Sequence, residues 1–376
     1  MDTVKEFAPI FWFHENETYL PIDVQAMTRI SDLYKKDQKV PFKNAIPELR
    51  GLGKDYYLSL KDINLGYPDP DKDIITSPLG SGPNAVSDHI MQLYNSIKSS
   101  YDHMIYTRSG TETIKKSDFD ANVWSGTWAP YNSKIPGDYS VIQYFPFYVY
   151  NDFMNKHVGD WDSTVEIFIN KTQNLTWVRT YMHHYAWFSS MGKSNQFQNI
   201  NNWLKMWQNL GNGDLGPIFN LNKHPFIFVS LGSHGCYPTP GYTLYGIEVK
   251  IKLIDTELIQ WVALADERQI GKVCLIPGDS EITKEDIKVC LRNSKFNTEK
   301  LKVYKYKLDP ADNQPWSTFK GRWGNRSKLI GWDSPDSAPN KETFRITKNI
   351  ILKKLQLELK TGYKPFFIIQ NYHGLL

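Results

Sequence analysis

The sequence predicts a mainly β fold: a jelly-roll-like β-sandwich that forms one large domain over residues 1–340, with short helices and long loops. Strand signals are dense between 139 and 182, where YSVIQYFPFYVY, STVEIFI and LTWVRTYM are separated by turn-forming Asn, Asp, Lys and Gly. Further apolar or alternating runs follow at 226–231, 246–254, 258–265 and 272–277. Aromatic residues make up 14% of the chain, including 12 Trp and 22 Tyr, and these types favour pleated, half-buried surfaces. Neighbouring hairpins of this kind build a sandwich or barrel, and 376 residues suffice for a large core.

Taken in order, FAPIFWFHENETYLPIDV reads as an apolar strand, a turn over His14–Thr18 and a short segment closed by Pro21. Residues 30–120 read as irregular. Within them YPDPDKDIITSPLGSGPN forms a long loop, and a short helix starts with its cap at Ser87. Asp69, Asp71 and Asp73 do not open a calcium loop, because Pro70 interrupts them and Ile74 stands where such a loop needs glycine. INNWLKMWQNL is a short amphipathic helix. The GxGxxG at Gly211, Gly213 and Gly216 comes after it, whereas a dinucleotide fingerprint follows a strand and opens a helix. The buried strand FIFVSL runs into a tight loop at Gly232–Gly235; neither Ser230 nor Ser233 meets the GxSxG spacing of a nucleophile elbow. ITKEDIKVCLRNS is a surface helix or edge, and the Gly, Trp and Pro-rich 316–339 is an ordered loop layered on the sandwich. In the C-terminal segment 341–376, Phe344, Ile351, Leu352, Leu355 and Leu359 make one helical stripe that packs on the domain.

Chemistry concentrates at 151–166. His157, Asp160 and Asp162 lie close together, and strand alternation puts Asp160, Asp162, Thr164 and Glu166 on one face with Trp161, Val165, Ile167 and Ile169 on the other. Oxygen ligands with a single imidazole favour a hard divalent cation, Ca2+ or Mg2+, over zinc. The alternative is a solvated outer face of an antiparallel strand. Asp152 is an outer ligand candidate. His183, His184 and His234, with Trp161 and Glu166, are the candidates for contacting a ligand.

The net charge of +4 is mild and scattered, which gives no argument for nucleic acid. Cys236, Cys274 and Cys290 have no CxxC spacing and are odd in number, so neither a disulfide framework nor a zinc site is expected. No secretory signal or run of about 18 apolar residues is seen, so the expectation is a cytoplasmic protein with peripheral contact to endomembranes.

FAPIFWFHENETYLP, IQYFPFYVYN, HVGDWD, the strand ending in HH, HPFIFVSLGSHGCYPTPG, GRWG and DSPDSAP occur in that order, and over residues 7–339 the chain resembles the vacuolar protein sorting-associated protein 62 family. The resemblance implies a trafficking role at the vacuole. HVGDWD is also similar to the Gly-His-Arg-His-Asp-Trp-Glu motif of the necrosis- and ethylene-inducing-like cytolysins. Aligned on Asp-Trp, His157, Asp160 and Asp162 fall on positions that help hold a divalent cation at a lipid-headgroup surface, with Val158 and Gly159 replacing the motif's Arg and second His. The leading expectation is therefore a metal-dependent binding protein that bridges a lipid or glycan headgroup. The rivals are a metal-assisted hydrolase of phosphoester or glycosidic bonds and a structural or assembly protein without a metal.

Overall fold

A computed structural model describes residues 2–36, 38–61, 84–115, 136–152, 157–161, 164–172, 175–182, 185–191, 200, 202–203, 217–253, 256–268, 272–292, 298–324 and 366–370. The first strands are β1 (Ile10–Phe13), β2 (Ser31–Lys35), β3 (Gln38–Val40), β4 (Tyr56–Leu60), β5 (His103–Ile114) and β6 (Gly137–Pro146). Next come β7 (Tyr148–Asn151), β8 (His157–Asp160), β9 (Val165–Asn170), β10 (Leu175–Met182), β11 (Tyr185–Ser190), β12 (Asn220–Leu221) and β13 (His224–Val229). The last are β14 (Cys236–Tyr237), β15 (Gly241–Leu253), β16 (Thr256–Arg268), β17 (Val273–Pro277), β18 (Lys302–Pro310) and β19 (Phe366–Gln370). Helices α1 (Thr3–Glu6), α2 (Val24–Arg29), α3 (Asn84–Ile97) and α4 (Lys284–Cys290) are short.

The fold is mainly β and centres on one large curled sheet, as expected. This 11-stranded sheet has the order β11-β10-β9-β6-β5-β18-β17-β1-β13-β12, with β14 beside β13. The hairpin-rich half is antiparallel, β5-β6-β9-β10-β11. The pairs β1–β13, β17–β18 and β18–β5 are parallel, a feature the hairpin reading did not contain. Parallel pairs need long crossovers, and local alternation carries no record of them.

Alternation along β1 explains why all four of its residues are buried. Phe11 and Phe13 enter one core with Ile142, Tyr144, Val165, Ile167, Ile227 and Val229. Ile10 and Trp12 enter another with Phe226, Phe228 and Trp203, together with Ile287 and Cys290 of α4. Such a strand, covered on both faces, reads as a continuous apolar run. A third core lies under α2, α3 and the small β3-β2-β4 sheet and collects Trp161, Trp316 and Trp323.

Helix α3 begins at Asn84 rather than at the expected Ser87, and it buries Ile90, Tyr94 and Ile97 as a stripe one to two turns long. Within the 282–294 stretch, Lys284–Cys290 forms helix α4, opened by a reciprocal capping box between Thr283 and Asp286. The loop of residues 67–83, the GxGxxG stretch, most of the 200–210 helix and the 341–361 stripe lie outside the described residues.

Candidate functional site

The expected single row of carboxylates is divided by the chain's path. β8 pairs with β7 in a two-stranded sheet, with Tyr148 opposite Asp160 and Asn151 opposite His157. The chain then leaves that ladder and enters the large sheet at Val165. Within β8, Gly159 has a φ of 73°, in the left-handed region. A Cβ there would stand 2.5 Å from the Trp323 carbonyl oxygen, and one on Gly324 would stand 2.2 Å from that of Val158. HVGD and GRWG, far apart in sequence, are thus pressed backbone to backbone, and only glycine permits the approach.

Asp160 is fully buried. Its Oδ2 accepts a hydrogen bond from Nδ1 of His234 at 2.9 Å and another from Asn151 Nδ2 at 3.3 Å. His234 is also fully buried, and its ring lies flat on that of Tyr148, with centroids 3.8 Å apart and planes 2° from parallel. Its other nitrogen, Nε2, is 3.6 Å from Glu17 Oε1, whose side chain is 2% exposed.

Local structure delivers each group. Glu17 sits on the turn after β1, where its amide donates to the His14 carbonyl at 3.0 Å. Its carboxylate accepts from the amides of Tyr19 (2.9 Å) and Gly232 (2.8 Å). His234 is carried by the loop after β13 in a left-handed conformation, φ 57°. The loop is closed by Ser230 N donating to the Gly235 carbonyl at 3.0 Å and by a 2.6 Å contact between the Ser230 and Ser233 hydroxyls. The amide of Asp152 donates to the Gly232 carbonyl at 3.0 Å, which fixes this loop to the end of β7.

Electrostatics follow from this enclosure. Burial alone would push the His234 pKa down, but the Glu17 charge and the Asp160 hydrogen bond outweigh it and raise the value to about 9. Burial likewise opposes the charge of Glu17, and the cationic His234 more than offsets that, holding its pKa below the ordinary value. At neutral pH the site is a buried imidazolium between two carboxylates. Because Nδ1 and Nε2 lie on different edges of the ring, no single ion can take Asp160, Glu17 and His234 as ligands together. Among the described residues no group of three or more His, Cys, Asp or Glu side chains is arranged to hold a metal ion.

The remaining expected residues fall as follows. His157 is in β8, but its side chain, like the whole of Asp162, His183 and His184, lies outside the described residues. Asp152 is exposed. Trp161 is 4% exposed and packs against Tyr106, Phe147, Trp316 and Trp323. Glu166, 1% exposed, belongs to a separate polar row across the large sheet, where Gln143, Arg179 and Tyr181 all donate to its carboxylate. Neither Asp160 nor Glu166 therefore lies on a solvated face.

Sequence reasoning missed Glu17, Tyr148 and Arg179. The available signal for Glu17 was its place in FHENE, one of the motifs that carried the family resemblance. A scan against protein-family models and searches of curated proteins and of solved structures return no match.

Proposed function

We propose that the chain is a binding protein of the membrane-surface type, with the trafficking role that its resemblance to vacuolar protein sorting-associated protein 62 implies, and that it works without turning over a substrate. The observation that carries this reading is the enclosure of His234, Asp160 and Glu17: the imidazole and the two carboxylates are sealed from solvent and engaged with one another. A general acid or base must reach the proton it moves. These groups instead brace the N-terminal turn, β7, β8 and the 230–235 loop into a rigid platform.

In this reading a divalent cation, Ca2+ or Mg2+, would be held by Asp152 and His157, with Asp160 and Asp162 as the further acids the sequence motif offers and a lipid or glycan headgroup as the bridged ligand. Two features support the arrangement. The register of β7 and β8 sets Asn151 opposite His157, so Asp152 follows at the same end of the ladder, and Asp152 is exposed. An ion that binds only the folded state raises stability by mass action. The test is thermal unfolding of the full chain in EDTA and in 5 mM Ca2+ or Mg2+, a concentration on the order of 100 times a 50 µM dissociation constant. A rise in melting temperature that disappears in Asp152→Asn and Asp162→Asn supports the cation. An unchanged melting temperature in the parent chain removes it.

A further inference from the structure

β15 and β16 each run for 13 residues, well beyond the roughly 5–6 typical of a strand, and pair throughout from Gly241↔Arg268 to Leu253↔Thr256. β19 covers only Tyr242–Gly246 of β15, and β16 is the outer strand of its sheet. Among the described residues its outer edge pairs with no strand. The Glu267 carbonyl at its base accepts from the Leu231 amide at 2.9 Å, which anchors the hairpin to the loop that carries His234.

An open edge of this length is a template for strand pairing, and proteins normally blunt such edges with Pro, Lys or a bulge. The β16 sequence, TELIQWVALADER, contains neither Pro nor Lys, and its unbroken one-to-one register with β15 contains no bulge. Its charges sit at the ends, at Glu257, Asp266, Glu267 and Arg268, and the run from Leu258 to Ala265 is uncharged.

We propose that this edge pairs with the same edge of a second copy of the chain. With a two-fold axis at Trp261, antiparallel pairing sets Leu258 opposite Leu264, Ile259 opposite Ala263 and Trp261 opposite itself. The uncharged run meets itself, Glu257 falls opposite Ala265 and Asp266 opposite Thr256, so no like charges are directly opposed between Thr256 and Asp266. The interface is isologous, so it closes at a dimer. It satisfies backbone groups that pair with no strand among the described residues, and cross-strand aromatic and aliphatic pairs stabilise such ladders. The two platforms of the preceding section would then belong to one particle, although the pairing does not depend on what they bind.

The experiment is sedimentation equilibrium of the full chain from 1 to 100 µM, with Trp261→Lys and Trp261→Cys alongside. The parent chain sediments at twice the monomer mass. Trp261→Lys, which sets two ammonium groups opposite each other across the axis, weakens the dimer at least about tenfold. Trp261→Cys forms an intermolecular disulfide under mild oxidation, a readout that survives any loss of affinity. A monomeric parent chain, a dimer indifferent to lysine, or a cysteine that stays reduced while the dimer persists each overturns the pairing.

Discussion

Replacing Asp160 with Asn removes one of the two charges that face His234 while keeping the shape of the side chain. In the parent chain the His234 pKa stands at about 9 against an ordinary 6.5. At 1.36 kcal/mol for each pH unit that rise corresponds to roughly 3 kcal/mol of stability at neutral pH. Glu17 keeps its share in the variant, so the expected loss is about 2 kcal/mol; leaving a buried charge wholly uncompensated would cost roughly 3–5 kcal/mol. Unfolding entropy of about 2.1 cal/mol/K per residue over 376 residues converts the loss to a fall of roughly 2–3 °C in melting temperature. The pH dependence is the sharper readout. A raised histidine pKa gives stabilisation that is complete below 6.5 and lost as pH climbs through about 9. The lowered pKa of Glu17 gives stabilisation that is complete above its ordinary 4.5 and lost as pH falls through the lowered value. Urea unfolding of the parent chain should therefore weaken from pH 7 to pH 10, and Asp160→Asn should flatten that decline. A variant within about 0.5 kcal/mol of the parent at pH 7, with the same alkaline slope, would refute the argument, since such a change is what a neutral surface substitution gives.

Three further substitutions probe the surroundings. Gly324→Ala places a Cβ 2.2 Å from the Val158 carbonyl oxygen, so HVGD and GRWG must separate; the expected loss is at least about 3 kcal/mol, read by chemical denaturation. Glu166→Gln leaves Arg179, buried and linked also to Glu112 at 3.5 Å, without its main counter-charge. With Glu112 retained, denaturation should show a loss of roughly 2–3 kcal/mol, and a loss under about 1 kcal/mol contradicts the buried pairing. Trp161→Phe keeps an aromatic ring in the tryptophan cluster and deletes a buried indole N–H that has no acceptor among the described residues. The volume lost on truncation is partly offset by removing that unsatisfied donor, so the melting curve should fall by less than the roughly 3–5 kcal/mol of a Trp→Ala change.

Strand content was legible at β6, β9, β10 and β13, which carry their own periodicity and turn residues, whereas β2 to β5 fall within the 30–120 stretch that reads as irregular. The tight loop at Gly232–Gly235 was likewise readable from its glycines. The partition of the stretch from Asp160 to Ile169 between two sheets was not: alternation from Asp160 predicts one strand, whereas Asp160 closes β8 opposite Tyr148 and the large sheet takes the chain up at Val165. The role of His234 was hidden for a related reason. Its partner Asp160 is 74 positions away, and Glu17 lies farther still on the opposite side of Asp160 in sequence. A contact across such a span leaves no spacing to recognise, only the recurrence of short motifs whose meeting point is set by the parallel pairing of β1 with β13.

The protonation state of His234 tests the central claim most directly. Imidazole 15N–1H correlation spectra of the full chain, with the resonance assigned by its absence in His234→Gln, would follow the ring from pH 5 to pH 10.5. The account predicts that both nitrogens carry protons at pH 7 and that deprotonation is centred near pH 9. A neutral ring at pH 7, with titration at or below the ordinary 6.5, contradicts the buried ion pair and the braced platform built on it.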